Sequence, residues 1–185
     1  NETLDKKILE RIVEPTLKGL NDLNTSFRGF LYVGLMIVNN EPYLIEYNVR
    51  MGDPECQTIL PRLKTDFAEI LDACINENLK SINLDWFNEK SICIVLCSKG
   101  YPDEYLNNIE IEELENLILN ENDFIFHAGT KINNSKIFSN GGRVLNIVVK
   151  SDNLKDSRKH AINLLDKLNW KNGFFRKDIG FRIID

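Results

Sequence analysis

The chain holds 185 residues at a formal net charge of −5, with 43% apolar and 28% charged residues, which suits a globular protein of one large or two small domains. Its acidic balance offers no basic footprint for nucleic acid, and no apolar run approaches the roughly 20 residues needed to span a bilayer. The four cysteines form no C-x-x-C pair and have no histidine at zinc-ligand spacing, so a reducing, cytoplasmic setting fits them best.

The chain begins Asn1-Glu2-Thr3 without a methionine and enters helical periodicity at once, which reads as a piece of a longer protein. Leu4, Ile8, Ile12, Leu17 and Leu20 recur at helical spacing, with Asn1 or Thr3 as the cap. Pro15 removes one intrahelical donor and so predicts a kink or a restart. Residues 27–38 (FRGFLYVGLMIV) predict a strand, Asn39 to Pro42 a turn and 43–50 (YLIEYNVR) a second strand, together an antiparallel hairpin. After Gly52-Asp53-Pro54, residues 55–63 and 66–75 predict helices, the second with Phe67, Ile70, Leu71 and Cys74 as its stripe.

The polar, Asn-rich stretch 76–90 marks a boundary, and the chain divides into residues 1–80 and 81–185. Beyond it, 91–98, 124–131 and 143–150 predict strands, 153–168 one amphipathic helix (Leu154, Arg158, Ala161, Leu165, Leu168) and 174–184 short strands. Cys93 and Cys97, four apart in the first of these strands, read as small buried hydrophobes. His127 reads as a half-buried structural residue and His160 as a solvated one on the helix's polar side. The fold class is α+β: antiparallel strands with helices, then a small β-rich part with one helix.

The strand at 43–50 carries the chemistry. Side chains alternate along a strand, so Tyr43, Ile45, Tyr47 and Val49 are expected on an inward apolar face and Leu44, Glu46, Asn48 and Arg50 on the other. Two oxygen donors and a guanidinium then stand in a row, neighbours roughly 6 to 7 Å apart. A carboxylate and a carboxamide suit a hard cation such as Mg2+ or Mn2+, which takes its other ligands from water and phosphates. Arg50 offers a fork for phosphate or carboxylate oxygens, and these are the parts of a phosphoryl-transfer site. An isolated E-x-N-x-R also fits an exposed strand face with casual ion pairs. The Gly52-Asp53-Pro54-Glu55 that follows favours a site, because a tight turn there would return Asp53 and Glu55 to the same strand end.

Glu46 to Gln57 (EYNVRMGDPECQ), preceded by Gly29 to Met36 (GFLYVGLM), resembles the ATP-grasp core of the glycinamide ribonucleotide synthetases, or phosphoribosylamine–glycine ligases. The likeness continues in the family's order through Leu60 to Asp66 (LPRLKTD), His127 to Lys131 (HAGTK), Asn140 to Leu145 (NGGRVL) and Phe175 to Arg182 (FRKDIGFR). It implies that residues 1–80 are the C-terminal half of an ATP-grasp domain and 81–185 the small C-terminal domain of the ligase. It also implies a reaction in which ATP, through glycyl phosphate, joins glycine to 5-phosphoribosylamine in purine biosynthesis. Glu46 and Asn48 would hold Mg2+ against the ATP phosphates. Arg50 would bind the transferring phosphoryl group or the glycine carboxylate. Asp53, flanked by Pro54 and Glu55, would meet the amine or ribose of the acceptor. Lys131, Gly142 and Arg143 would hold its 5-phosphate, the glycine pair letting backbone N–H groups approach an anion; by itself Asn-Gly-Gly also fits a plain hairpin turn. Partners would be these substrates, with no nucleic acid or membrane, and the full-length form a monomer.

Some features depart from the family. The strand LYVGLMIV lacks the further acidic metal ligand that many ATP-grasp enzymes carry. Nothing resembling a Gly-rich nucleotide loop occurs, so the chain alone is expected neither to hydrolyse ATP nor to make product. Arg176, Lys177 and Asp178 read equally as acceptor-site lining or as a surface ion-pair cluster. An aminoimidazole ribonucleotide carboxylase or biotin carboxylase is the competing enzyme reading, disfavoured by Gly52-Asp53-Pro54-Glu55. A non-catalytic ATP-grasp remnant would have lost Glu46, Asn48 or Arg50, and all three are present.

Overall fold

Pro15 shapes the first element. In the computed structural model, which describes residues 1–184, α1 (Glu2–Ile8) is capped by Asn1, whose Oδ1 accepts from the Thr3 N–H at 3.0 Å. A π-helical stretch, Leu9–Val13, leads into α2 (Glu14–Asp22), so Pro15 falls in a first turn, where its missing N–H costs nothing. Val13 and Glu14 keep helical backbone angles and the Glu14 N–H reaches back five residues to the Leu9 carbonyl, so the helix runs through its proline on a widened turn and does not restart. Next comes a hairpin of β1 (Tyr32–Val38) and β2 (Glu41–Asn48). Its two-residue turn, Asn39-Asn40, has φ of +53° and +60°, the left-handed pair that short hairpins favour and asparagine tolerates. Glu41 and Pro42, expected in the turn, lie in β2; residues 27–31 lie outside β1.

The hairpin is not the evenly alternating strand that the sequence suggests. Gly34 pairs with Glu46 and Leu35 with Leu44, leaving Ile45 as an extra residue. A bulge of this kind shifts the side-chain alternation by one, so Leu44 no longer shares a face with Glu46. Only Tyr47 of the expected inward set is half-buried, its hydroxyl bonded to that of Thr16 on α2. Tyr43, Ile45 and Val49 are 56%, 65% and 74% exposed. A two-stranded sheet with helices on one side has no second layer to cover them. Lys7 and Arg11 pair with Glu41, holding its carboxyl below the usual range. These elements and α4 (Phe67–Ile75), capped by Asp66, form one compact unit, Asn1–Gly52 with Thr65–Leu84. Phe30 stacks on Phe67 at 5.7 Å, while Leu71 is exposed and Ala73 is buried in its place.

The second unit comprises Asp53–Lys64 and the chain from Asp85 onward. It is built on an antiparallel sheet of order β4 (Asp123–His127), β7 (Arg143–Ser151), β3 (Lys90–Ser98), β8 (Gly173–Phe174). Ile92, Ile94 and Leu96 on β3 and Leu145, Ile147 and Val149 on β7 pack against Ala161, Leu164, Leu165 and Leu168 of α5 (Leu154–Leu168). Each such Ile, Leu or Val side chain removed from water contributes roughly 1.5–3 kcal/mol. Alternation sends Cys93, Val95, Cys97, Val148 and Lys150 to the opposite face, and α3 (Glu55–Ile59) packs against β3 and β7. A short hairpin, β5 (Thr130–Asn133) and β6 (Lys136–Ser139), interrupts the strand expected over 124–131, and of the strands expected over 174–184 only β8 is formed, at Phe174, with a 3-10 turn, Phe181–Ile183, further on. Among the described residues no helix is long and apolar enough to cross a membrane.

Burial separates the two sheets energetically. Ile94→Ala or Ile147→Ala, both at fully buried positions, should cost about 2–5 kcal/mol in urea denaturation, whereas Ile45→Ala should stay within about 0.5 kcal/mol.

Candidate functional site

In the first unit, the bulge at Ile45 fixes which way Glu46 points, and the regular pairing beyond it puts Asn48 on the same face. The two side chains meet there, Asn48 Nδ2 donating to Glu46 Oε1 at 3.2 Å. Both can present oxygen to a hard cation once the carboxamide turns its Oδ1 to the same point. A carboxylate with one carboxamide is the size of donor set Mg2+ uses, water and phosphate completing its octahedron. Among the described residues no three His, Cys, Asp or Glu side chains gather into a metal cage. The donor set thus fits a metal shared with a phosphate ligand. Arg50 departs from the expected row: β2 ends at Asn48, and Arg50 sits in a bend, exposed, its guanidinium donating to the Met51 carbonyl at 2.9 Å.

The second unit holds the other candidates, and a second bulge organises them. Leu96 pairs with Leu145 and Cys97 with Arg143, so Val144 is the extra residue in β7. Without it, Arg143 would share the α5 face with Leu145 and Ile147. With it, Arg143 lies beside Cys97 on the α3 face, where its charge partly opposes the rise that burial imposes on the Cys97 thiol pKa. From there the guanidinium forks onto Asp53. One nitrogen meets Oδ2 at 2.9 Å and the other donates to the Asp53 carbonyl at 3.1 Å. Gln57, one turn into α3, donates to the remaining carboxylate oxygen at 2.8 Å. The Asp53–Pro54 peptide is cis, and Pro54 and Glu55 lead into α3. Two residues 90 positions apart, both picked out as acceptor-binding, are in direct contact. Their side chains are 40% and 44% exposed, so the pair adds little stability and either partner is open to exchange with a ligand.

The glycines before Arg143 serve close packing. A Cβ on Gly129 would fall 2.7 Å from the Gly141 Cα, and one on Gly142 would enter the Tyr101 ring. Ser98, fully buried, grips both: its N–H donates to the Gly142 carbonyl at 2.8 Å and its hydroxyl to that of Gly141 at 2.9 Å. Sequence reasoning missed Ser98 and Tyr101. The available signal was an aromatic residue, Tyr101, just past the turn glycine that follows the buried end of β3. Lys131 lies exposed on β5, opposite Phe138 and outside the Asp53–Arg143 contact.

Several expectations are corrected. His127 is exposed, its Nδ1 bonded to Thr130 Oγ1 at 2.9 Å. His160 is not free: its Nε2 meets the buried carboxylate of Asp123 at 2.8 Å, which also accepts from the Asn120 N–H. Arg176 and Asp178 form a bidentate surface pair, with Lys177 3.7 Å from Asp166. That pairing draws the Asp178 carboxyl down and the Arg176 guanidinium up. Of the two readings left open for that segment, the ion-pair cluster is the one observed.

Comparison with known proteins follows the same two parts. A model of the phosphoribosylglycinamide synthetase C domain matches residues 91–182, and one of the ATP-grasp (A) domain of that enzyme matches residues 1–56. The phosphoribosylamine–glycine ligase of Fusobacterium nucleatum is 41% identical over 180 residues, 97% of this chain and 42% of its own length. The chloroplastic ligase of Arabidopsis thaliana is 38% identical over 181 residues, 96% of this chain and 34% of its own. A crystal structure of the ligase from Thermotoga maritima matches at a TM-score of 0.79 and 32% identity, over 94% of this chain and 42% of that one. The chain therefore spans less than half the length of these relatives.

Burial also makes a thiol on this sheet face a sensitive reporter. Desolvation pushes Cys93 up to about 12, with the nearby charges of Asp53 and Glu55 acting in the same direction. The neutral thiol is favoured by folding, so this contribution is intact below the ordinary thiol range and is lost as pH rises from 9.0 towards 12. At pH 8, native Cys93 should alkylate with iodoacetamide about a thousandfold more slowly than in urea, by mass spectrometry of the labelled peptide.

Proposed function

Because the chain belongs to the phosphoribosylglycinamide synthetase family, we propose that it is the C-terminal portion of a phosphoribosylamine–glycine ligase. In that reaction ATP phosphorylates the glycine carboxylate. The amine of 5-phosphoribosylamine attacks the acyl carbon of glycyl phosphate, and phosphate leaves with formation of glycinamide ribonucleotide. Residues 1–80 complete the ATP-grasp domain and 81–185 make the small C-terminal domain. The full-length protein acts as a monomer in the cytoplasm.

The observation that carries this reading is the fork of Arg143 onto Asp53. The acceptor has a phosphate at one end and an amine at the other, and a guanidinium beside a carboxylate offers one partner for each. Arg143 takes phosphate oxygens bidentately, with Lys131 and the Gly142 backbone as further donors. Asp53 orients the amine and receives its proton as the C–N bond forms, while Pro54 and Glu55 bound the pocket. Glu46 and Asn48 would hold the metal, which when bound would draw charge from the ATP phosphates. Arg50 leaves the Met51 carbonyl for the glycine carboxylate or the phosphoryl oxygens as charge builds there.

The test is made on the full-length protein, by ADP formation dependent on both glycine and phosphoribosylamine. Asn48→Leu should leave the melting temperature nearly unchanged, because the residue faces a ligand site, yet weaken magnesium-ATP binding by at least about tenfold. Normal affinity and turnover in that variant would remove Asn48 from the metal site. Arg143→Ala should raise the KM for phosphoribosylamine and spare that for ATP; the opposite split would place Arg143 elsewhere.

A further inference from the structure

Resting on the reading of Arg143 as the acceptor's phosphate ligand, we infer that Tyr101 is a positioning residue for that site, acting through Gly142. The loop after β3 closes on itself: the Tyr101 N–H donates to the Ser98 carbonyl, that of Asp103 to Gly100 and that of Leu106 to Lys99, each at 3.1 Å. Gly100 holds a φ of +103° inside this closure. The loop thereby presents the Tyr101 ring, braced by Tyr105 at 6.2 Å between centroids, to the space above Gly142. A Cβ on Gly142 would meet the ring at once, its Cε2 at 2.7 Å and its Cγ at 3.1 Å. The ring occupies the volume a side chain would otherwise take.

That contact sits one peptide from Arg143, whose guanidinium is anchored at its far end by Asp53. Ser98 fixes the two glycine carbonyls, and the ring fixes the remaining side of Gly142. Gly142 and Tyr101 therefore act as a matched pair, a missing side chain and the ring that fills its place. The ring, not the hydroxyl, is the part that the geometry uses.

Size exchange tests the pairing in the full-length protein, with ribose 5-phosphate as the calorimetric probe and ligase kinetics alongside. Gly142→Ala should weaken probe binding and raise the KM for phosphoribosylamine by about 10- to 100-fold, with the KM for ATP and for glycine little changed. The double variant Gly142→Ala, Tyr101→Ala should bind better than Gly142→Ala alone. Tyr101→Ala alone should raise the same KM at near-normal kcat, and Tyr101→Phe should restore it. If Gly142→Ala fails to fold, the Ala and Phe variants at Tyr101 still decide the matter. A harmless Gly142→Ala, a double variant no better than the single, or a Tyr101→Ala that lowers only thermal stability would overturn the inference, as would a wild-type protein that does not bind the probe. Probe binding with the expected suppression but without ligase turnover would instead overturn the ligase reading and leave Tyr101 in its role.

Discussion

The placement of Arg143 depends on one extra residue in a strand. β7 is paired with β3 from end to end and with β4 over residues 145–149, buried along most of its length and covered by α5. A side chain on such a strand has two options, the α5 face or the α3 face, and parity decides between them. Val144 breaks the parity and remains in the core with Leu145, which leaves Arg143 on the other side, opposite Cys97. The contact with Asp53 follows from that choice. Bulges are found where a strand must re-aim a side chain beside a site, and this one does so at the first residue of the strand.

The same device operates in the first unit, at lower energetic support. Ile45 is the extra residue before Glu46, and the restored alternation keeps Glu46 and Asn48 together. The surroundings differ. β7 is locked between two neighbours and under a helix, whereas β1 and β2 form a two-stranded sheet whose apolar residues are largely exposed. The position of Arg143 is thus set by packing, while the approach of Asn48 to Glu46 is set by hairpin pairing and by the helix contacts of Tyr47 and Glu41.

Most elements were legible because their signals are local. Asn39-Asn40, the stripe of α5 and the alternation of β3 all follow from residues within a few positions of one another. The candidate residues were legible as types: a carboxylate and a carboxamide two apart, and an arginine after two glycines. The register was not. A bulge is a statement about a partner strand 50 residues away in β7, or across the turn in β2, and neither Val144 nor Ile45 carries a mark distinguishing it from an ordinary buried strand residue. His160 failed for a related reason. Its helix position is polar by periodicity, but Asp123 reaches it from the start of β4, a pairing that only the sheet order creates.

The glycines show how one residue type serves two demands. At a phosphate-binding loop, a glycine pair suggests an open cradle of backbone N–H groups. Here Gly129 and Gly141 are small because two backbones touch, and Gly142 is small because an aromatic ring lies over it. The carbonyls of Gly141 and Gly142 are taken up by Ser98, and that of Gly129 by the Asn140 N–H. A segment gripped in this way has little room to move its backbone towards the phosphate proposed for it. Selectivity then has to come from the side chain that leaves the segment, and the exposed, exchangeable contact of Arg143 with Asp53 is where that freedom lies. On the proposed reading, rigid backbone and exchangeable charge are complementary requirements: the first would fix where the acceptor's phosphate is met, and the second would let it in.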